Sequence, residues 1–322
     1  MFVFCIESSH SRGMGHLYRS LTLAEELRRR GRDIHFLVND HEMTLNILTS
    51  RGFEFTIYNP DAPGGSWEGA FAETTGSPEV WVNDRLDTTL EHAQAVVRAG
   101  ARLVTFDDRG DGAELADFNI SALVFGEINR LKGREVRSGI EYMILNPEIE
   151  RYRRARKTTS SILVTLGGAD THGVTVRVAS WLQSKPFAVT IVTGPAFQHR
   201  EDLHTVLSKP SLARIEHLAG VHSMAVEMNR HDLAITGGGL TPFEAAASGL
   251  PSIVIANELF EIPVGRALQE FGFSRFAGHH SSLDFDTLSL DLPIEIMSQT
   301  ALRRTNLNGS HRISDLLEDL LR

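Results

Sequence analysis

The chain has 322 residues, of which 42% are hydrophobic and 23% charged, a balance that suits a globular protein of two ordinary-sized domains. A net charge of −9 argues against a nucleic-acid surface, and the single cysteine, Cys5, excludes an internal disulfide. No apolar run approaches the roughly 20 residues of a membrane span, and the N-terminus lacks the basic leader of a signal peptide, so a cytoplasmic protein is expected.

Residues 2–6 form a short continuous apolar run, as in a strand buried on both faces. A glycine-containing turn follows, and Leu17, Leu21, Ala24 and Leu27 then recur at helical spacing up to Gly31. Strand 34–38, helix 43–51 and strand 53–58 continue a β-α-β-α-β alternation, which predicts a parallel sheet with right-handed crossovers. Residues 59–78, rich in glycine and proline, read as a loop. A strand at 80–83 ends in Asp84, a helix spans about 88–99, and a strand at 103–106 ends in Asp107 and Asp108. Residues 121–125 read as the last strand of this half.

A linker with a basic run is expected at 146–159, dividing the chain into an N-terminal domain, 1–150, and a C-terminal domain, 151–322. The alternation then restarts. Strand 162–166 leads into the turn Gly167-Gly168-Ala169-Asp170 and helix 174–183, and strand 187–192 ends near Gly194. Strand 233–236 runs into Gly237-Gly238-Gly239-Leu240-Thr241-Pro242-Phe243-Glu244. Strand 252–255, helix 264–271 and an amphipathic tail helix at 310–322 complete the chain.

In open parallel sheets, ligands bind beyond the carboxyl ends of the strands. Residues just after strands are therefore the candidates, and two facing sheets would place both sets in one interdomain cleft. The 237–244 stretch joins three glycines to a helix N-terminus, where free N–H groups and the helix dipole favour a phosphate. Thr241 is a candidate cap, Pro242 suits the first helical position, and Glu244 lies one turn in, within reach of ribose hydroxyls. A tight turn with a Thr241–Glu244 capping box is the plainer alternative.

Near the N-terminus, Gly13-Met14-Gly15 begins like a dinucleotide fingerprint, but Tyr18 stands where the third glycine belongs. His16 falls in the first turn of the helix, where imidazolium is disfavoured, so a neutral base is expected. Such a base takes a proton from water or an alcohol, for a gain of roughly 10²- to 10⁴-fold; packing or capping is the alternative role. Asp84 and Asp107 are further candidates at strand ends. Residues 107–112 fail the EF-hand pattern at Arg109 and Phe118. No zinc spacing, nucleophile elbow or P-loop occurs, so neither metal nor cofactor is expected.

Taken together these segments resemble a known family. Gly13-x-Gly15-His16-x-x-Arg19 followed by Leu23-Ala24-x-x-Leu27 resembles the first turn of the PseG/SpsG-like nucleotide-sugar hydrolases of the pseudaminic-acid pathway. Matches continue through Asp84, Phe106-Asp107-Asp108, Gly139-x-x-Tyr142, Glu148, Gly167-Gly168-x-Asp170, Gly194, Asp232, Gly238-Gly239-x-Thr241-x-x-Glu244, Pro251 and Asn257. That family is similar to the GT-B glycosyltransferases. The resemblance implies an α/β, GT-B-like fold of two Rossmann-like domains whose parallel sheets face an interdomain cleft. It also implies a UDP-sugar as ligand, no metal, and cleavage of the C1–O bond by water.

On this reading His16 is the base and Asp84 is catalytic with it, while Gly13, Gly15, Arg19, Gly168 and Gly194 line the substrate. Gly238, Gly239, Leu240 and Thr241 hold the diphosphate, Glu244 the ribose, and Asn257 and Glu258 the sugar. Two departures stand out. The family has Asn-Gln where this chain has Asn257-Glu258, which exchanges an amide's two donors for a charge and points to a different sugar. The stretch Asn83-Asp84-Arg85 also lacks a tyrosine common in the family. A glycosyltransferase using His16 on an acceptor hydroxyl, and a nucleotide-sugar-binding protein without turnover, are the alternative functions.

Overall fold

The computed structural model describes residues 1–7, 15–59, 67–85, 87–122, 131–194 and 196–322. Its contacts divide the chain into two compact units, residues 1–144 with 308–322, and residues 145–307.

The first unit is built on a seven-stranded sheet in the order β3-β2-β1-β4-β5-β6-β7. The strands are β1 (Phe2–Ile6), β2 (Ile34–Val38), β3 (Glu54–Ile57), β4 (Val80–Asp84), β5 (Arg102–Phe106), β6 (Phe118–Ser121) and β7 (Glu135–Ser138), and every pairing is parallel. The all-apolar β1 and the Val80-Trp81-Val82 run of β4 are buried on both faces, as central parallel strands must be. Helix α1 (Gly15–Arg29) lays Leu17, Leu21, Leu23, Ala24 and Leu27 on the sheet. Its chain reverses at Gly31, whose φ of 81° is a left-handed conformation that suits glycine. Helices α2 (Glu42–Ser50), α3 (Trp67–Thr75) and α4 (Leu90–Arg98) complete the crossovers.

Three expectations change here. Helix α3 lies inside the stretch read as a loop; Trp67 stacks on Tyr58 at 4.6 Å and Phe71 packs edge-on to Trp81, contacts that local sequence pattern does not display. The strand expected to start at 121 starts earlier, as β6 at Phe118, and a further strand, β7, follows; residues 123–125 of the expected strand lie outside the described residues. The tail helix, α11 (Gly309–Asp319), was grouped by sequence with the second half but packs on the first unit. Ile313 and Leu317 join the α1 core, each contributing about 1.5–3 kcal/mol by burial. Arg30 pairs with Asp315 at 2.6 Å and Glu318 at 2.9 Å. Gly309 passes so close to Met143 that a Cβ there would meet its carbonyl oxygen at 2.0 Å.

The second unit holds a six-stranded parallel sheet in the order β10-β9-β8-β11-β12-β13. Its strands are β8 (Ser161–Thr165), β9 (Ala188–Thr193), β10 (Arg214–Ala219), β11 (Leu233–Thr236), β12 (Ser252–Ala256) and β13 (Ser274–His279). Helices α5 (Val174–Leu182), α6 (Arg200–Leu207), α7 (Met224–Arg230), α8 (Thr241–Ala247), α9 (Glu261–Glu270) and α10 (Ile294–Arg304) cover it. Buried Arg156 donates to the carbonyls of Met228, His231 and Ser248, which ties the ends of α7 and α8 together. Among the described residues no helix is long and apolar enough to cross a membrane.

Both sheets have a switch point. In the first the chain moves outward from β1 through β2 to β3, then returns to lay β4 on the other side of β1. In the second β8 and β11 stand in the same relation. Ligand crevices of doubly wound sheets open at such points.

Candidate active site

At the first switch point Asp84 ends β4 with its side chain fully buried. Helix α1 presents His16, Arg19 and Ser20 toward it at the i, i+3, i+4 spacing of one helix face. Arg19 grips the carboxylate with two prongs, Nε to Oδ2 at 2.8 Å and Nη2 to Oδ1 at 2.5 Å. Its Nη1 donates to Asp107 Oδ2 at 2.5 Å, and its guanidinium lies 5.0 Å from the centre of the Phe106 ring. Ser20 Oγ donates to Asp84 Oδ2 at 3.2 Å. Burial alone would raise the pKa of Asp84; Arg19 and His16 outweigh it and hold the carboxyl well below the usual carboxylate range.

This ionised carboxylate fixes the tautomer of His16. Nδ1 lies 2.6 Å from Asp84 Oδ1, so Nδ1 carries the hydrogen and donates it. Arg19 Nη2 lies 3.3 Å from the same nitrogen and donates to Asp84 Oδ1. Nε2 keeps its lone pair and has no partner among the described residues. The ring retains 17% of its surface exposed. The arrangement is a buried carboxylate orienting a histidine whose second nitrogen is open to accept a proton. Asp107, at φ 50°, adopts a left-handed conformation that few non-glycine residues take, and it also accepts the Ala122 N–H. Gly15 is the first residue of α1, and Gly13 lies outside the described residues.

At the second switch point the turns after β8, β11 and β12 converge. Gly168 and Gly194 approach backbone to backbone; a Cβ on Gly194 would stand 2.4 Å from the Gly168 carbonyl oxygen. Asn257 Nδ2 donates to the Leu166 carbonyl at 3.1 Å and would be 3.3 Å from a Cβ on Gly237. Its other amide atom, Oδ1, is shielded from solvent and has no acceptor role filled among the described residues. Glu258 is exposed and faces His172 Nε2 at 3.4 Å.

Helix α8 starts differently from the expected pattern. Leu240, not Thr241, occupies the N-cap position, and no side chain caps the helix. Thr241 and Pro242 are its first two residues. The N–H groups of Gly239, Leu240 and Thr241 consequently have no acceptor among the described residues. Gly238 is committed elsewhere: its N–H donates to the carboxylate of Glu261, the first residue of α9. Glu261 Oε2 also accepts from the Asn257 N–H at 2.7 Å and the Glu258 N–H at 3.4 Å. Burial raises the pKa of Glu261, opposed by these three amides. Glu261 thus braces the glycine turn to the turn after β12, a role the sequence did not reveal.

Glu244 points from α8 with no side-chain partner among the described residues. Although it keeps part of its surface, the protein atoms crowded around its carboxyl push the pKa up to about 7. Other residues of the sequence pattern have structural duties. Asp170 accepts the N–H groups of Val174 and Thr175 at the start of α5, Asp232 holds Ser160 and Ser161, and Glu148 accepts from Ser223. Among the described residues no group of three His, Cys, Asp or Glu side chains is placed to hold a metal ion.

No family model matches the chain. The chain is 28% identical over 272 residues to the uncharacterized protein MJ1062 of Methanocaldococcus jannaschii, covering 79% of this chain and 55% of that longer protein. It is 24% identical to the spore coat polysaccharide biosynthesis protein SpsG of Bacillus subtilis, covering 98% of this chain and 96% of SpsG. Among solved structures it is similar to Acinetobacter baumannii MurG, with a TM-score of 0.73, 15% identity and 99% of each chain covered. It is also similar to the UDP-GlcNAc 2-epimerase of Neisseria meningitidis bound to UDP-GlcNAc, with a TM-score of 0.66, 12% identity, and 99% of this chain and 100% of that chain covered. With two parallel α/β sheets in this order the chain has the GT-B fold, and it is similar to SpsG along its whole length.

Proposed function

We propose that the protein is an enzyme of surface-polysaccharide biosynthesis that acts on a UDP-linked sugar, hydrolysing it at C1–O to release UDP and the free sugar. The observation that carries the reading is the His16–Asp84 pair, with Nδ1 tied at 2.6 Å and Nε2 without a partner among the described residues. Water bonds to C1 as its proton passes to His16 Nε2, and the C1–O bond breaks with its electron pair leaving on the diphosphate. A diphosphate is a good leaving group that needs charge stabilisation more than protonation.

The open amides of Gly239, Leu240 and Thr241 suit the diphosphate, with Gly168 and Gly194 leaving room for close backbone approach. Glu244, without a side-chain partner among the described residues, suits the ribose hydroxyls, and Asn257 Oδ1 suits a donor from the sugar, next to Glu258. Gly238 supports this set through Glu261 instead of touching the phosphate. The likeness to SpsG and to a UDP-GlcNAc-bound epimerase supports a nucleotide-sugar ligand.

The test is incubation with a panel of UDP-sugars and no acceptor. Release of UDP with an equal amount of free sugar is expected. A donor that stays intact until an alcohol acceptor is added would make the protein a transferase. Unchanged binding and cellular effect in His16→Ala, with no turnover in either protein, would make it a binding protein.

A further inference from the structure

Behind Asp84, on the opposite face of β4, lies a second buried polar chain that the proposed chemistry does not use. It joins Glu68 of α3, His92 of α4, Trp81 and Asn83 of β4, Thr88, and Asp108 after β5, all essentially without solvent contact. Its hydrogen positions follow from what each group is able to donate. The indole of Trp81 is a donor only, and its Nε1 lies 2.9 Å from Asn83 Oδ1, which fixes the orientation of that amide. Asn83 Nδ2 then donates to Thr88 Oγ1 at 3.1 Å, and the Thr88 hydroxyl donates to Asp108. Asp108 also accepts the N–H groups of Thr88 at 3.0 Å and Gly110 at 2.9 Å.

The oxygen of Asn83 therefore faces His92 Nε2 at 3.2 Å, so Nε2 carries a hydrogen. The other ring nitrogen, Nδ1, lies 2.7 Å from Glu68 Oε1. A lone pair and a carboxylate do not meet at that distance without a proton between them. Ring and carboxyl together thus hold two protons, one more than a neutral imidazole beside a carboxylate, and the pair is neutral overall. Burial lowers the pKa of His92, with Glu68 opposing it, Arg85 adding to it, and Asp108 opposing it further out.

We propose that Glu68 and His92 form a proton-sharing pair that positions the carboxyl end of β4. Through Asn83 and its neighbour Asp84, the pair sets the orientation of His16. Both are positioning residues, and this role rests on the reading of His16 as the base. Asn83 and Asp84 are consecutive and point to opposite faces of the strand, so a shift in one is felt by the other.

The experiment is ¹⁵N NMR of the full chain with labelled histidine, with His92 and His16 assigned by substitution. A protonated His92 Nε2 at pH 7 is expected, and a bare Nε2 there would overturn the pairing. Glu68→Gln, whose amide donates to Nδ1, should keep this tautomer, the His16 Nδ1–H resonance and a kcat within about threefold. Glu68→Leu should shift or broaden the His16 resonance and lower kcat at least tenfold, with UDP affinity unchanged. An unmoved His16 resonance in the leucine variant, or equal losses of kcat in both variants, would overturn the positioning role. Full turnover in His16→Ala with the His92 tautomer as expected would remove the base assignment and leave the proton-sharing pair standing.

Discussion

Arg19 and Asp84 meet through two parallel hydrogen bonds in a place where the carboxylate has no solvent contact at all. Each is costly to bury alone and acceptable only with the other. The pair gives His16 a fixed charge to point at, and since the guanidinium already neutralises that charge, the carboxylate acts on His16 mainly through orientation.

Asp84→Asn should therefore separate orientation from fold. The amide still fills the space but leaves Arg19 with Asp107 as its remaining anionic partner, at a cost of about 3–5 kcal/mol for breaking a buried pair. It also permits the wrong His16 tautomer, so kcat should fall roughly 10²- to 10⁴-fold with KM little changed. Steady-state kinetics and thermal melts on the same sample check both. Activity within threefold of the wild type would rule out a role for Asp84 in catalysis. Because the folded pKa of Asp84 is depressed, its stabilisation is present above the ordinary Asp range and is lost as the pH falls below it. Acid unfolding of Asp84→Asn should accordingly depend less on pH.

Glu244 gives the opposite sign. Burial raises its pKa to about 7, so its stabilising contribution is complete below the ordinary Glu range and is lost as the pH rises to about 7. Glu244→Gln should melt higher than wild type at pH 8 and no higher at pH 4. Ribose hydroxyls donate to the ionised carboxylate better than to the acid, a difference of about 1 kcal/mol. UDP affinity of the wild type should thus rise about fivefold from pH 6 to pH 8 relative to Glu244→Gln. Calorimetric titrations at the two pH values decide it; parallel profiles would take the ribose away from Glu244.

The two glycines of the α8 turn should respond differently to alanine. A Cβ on Gly238 would lie 2.6 Å from the Cβ of Glu261, so Gly238→Ala should unseat that brace and cost about 1–3 kcal/mol. A Cβ on Gly239 meets nothing within 4 Å, so Gly239→Ala should leave stability nearly unchanged. It projects beside the open amides, and UDP binding should weaken about tenfold or more. Denaturant titration and UDP binding on both variants test this. A stable Gly238→Ala together with a full-affinity Gly239→Ala would contradict the geometry.

What could be read from sequence follows from which forces are local. Strand β11 and the glycine run after it were visible because an apolar run and a turn are written in consecutive residues. His16 and Asp84 were visible as positions after strands, although not as partners, since 68 residues separate them. Glu261 left no signal: it acts on backbone amides, which any residue carries. Helix α3 was missed because a short segment with Gly69 shows little periodicity and is held by Tyr58 and Trp81 from other elements. The tail displayed an apolar stripe, yet a stripe does not say which core will receive it. Thr241 was misplaced by one position because Leu240 already has helical dihedrals, φ −72° and ψ −30°.

The return of α11 to the first unit bears on how the molecule is made. Residues 145–307 are continuous and hold their own sheet, so this part has all it needs once it has left the ribosome. The first unit does not: Ile313 and Leu317 reach its core only after everything between has been translated. The segment synthesised first is thereby completed last. The surface of α1 that these leucine and isoleucine side chains cover stays bare through most of synthesis, and it is there that a nascent chain would call on a chaperone.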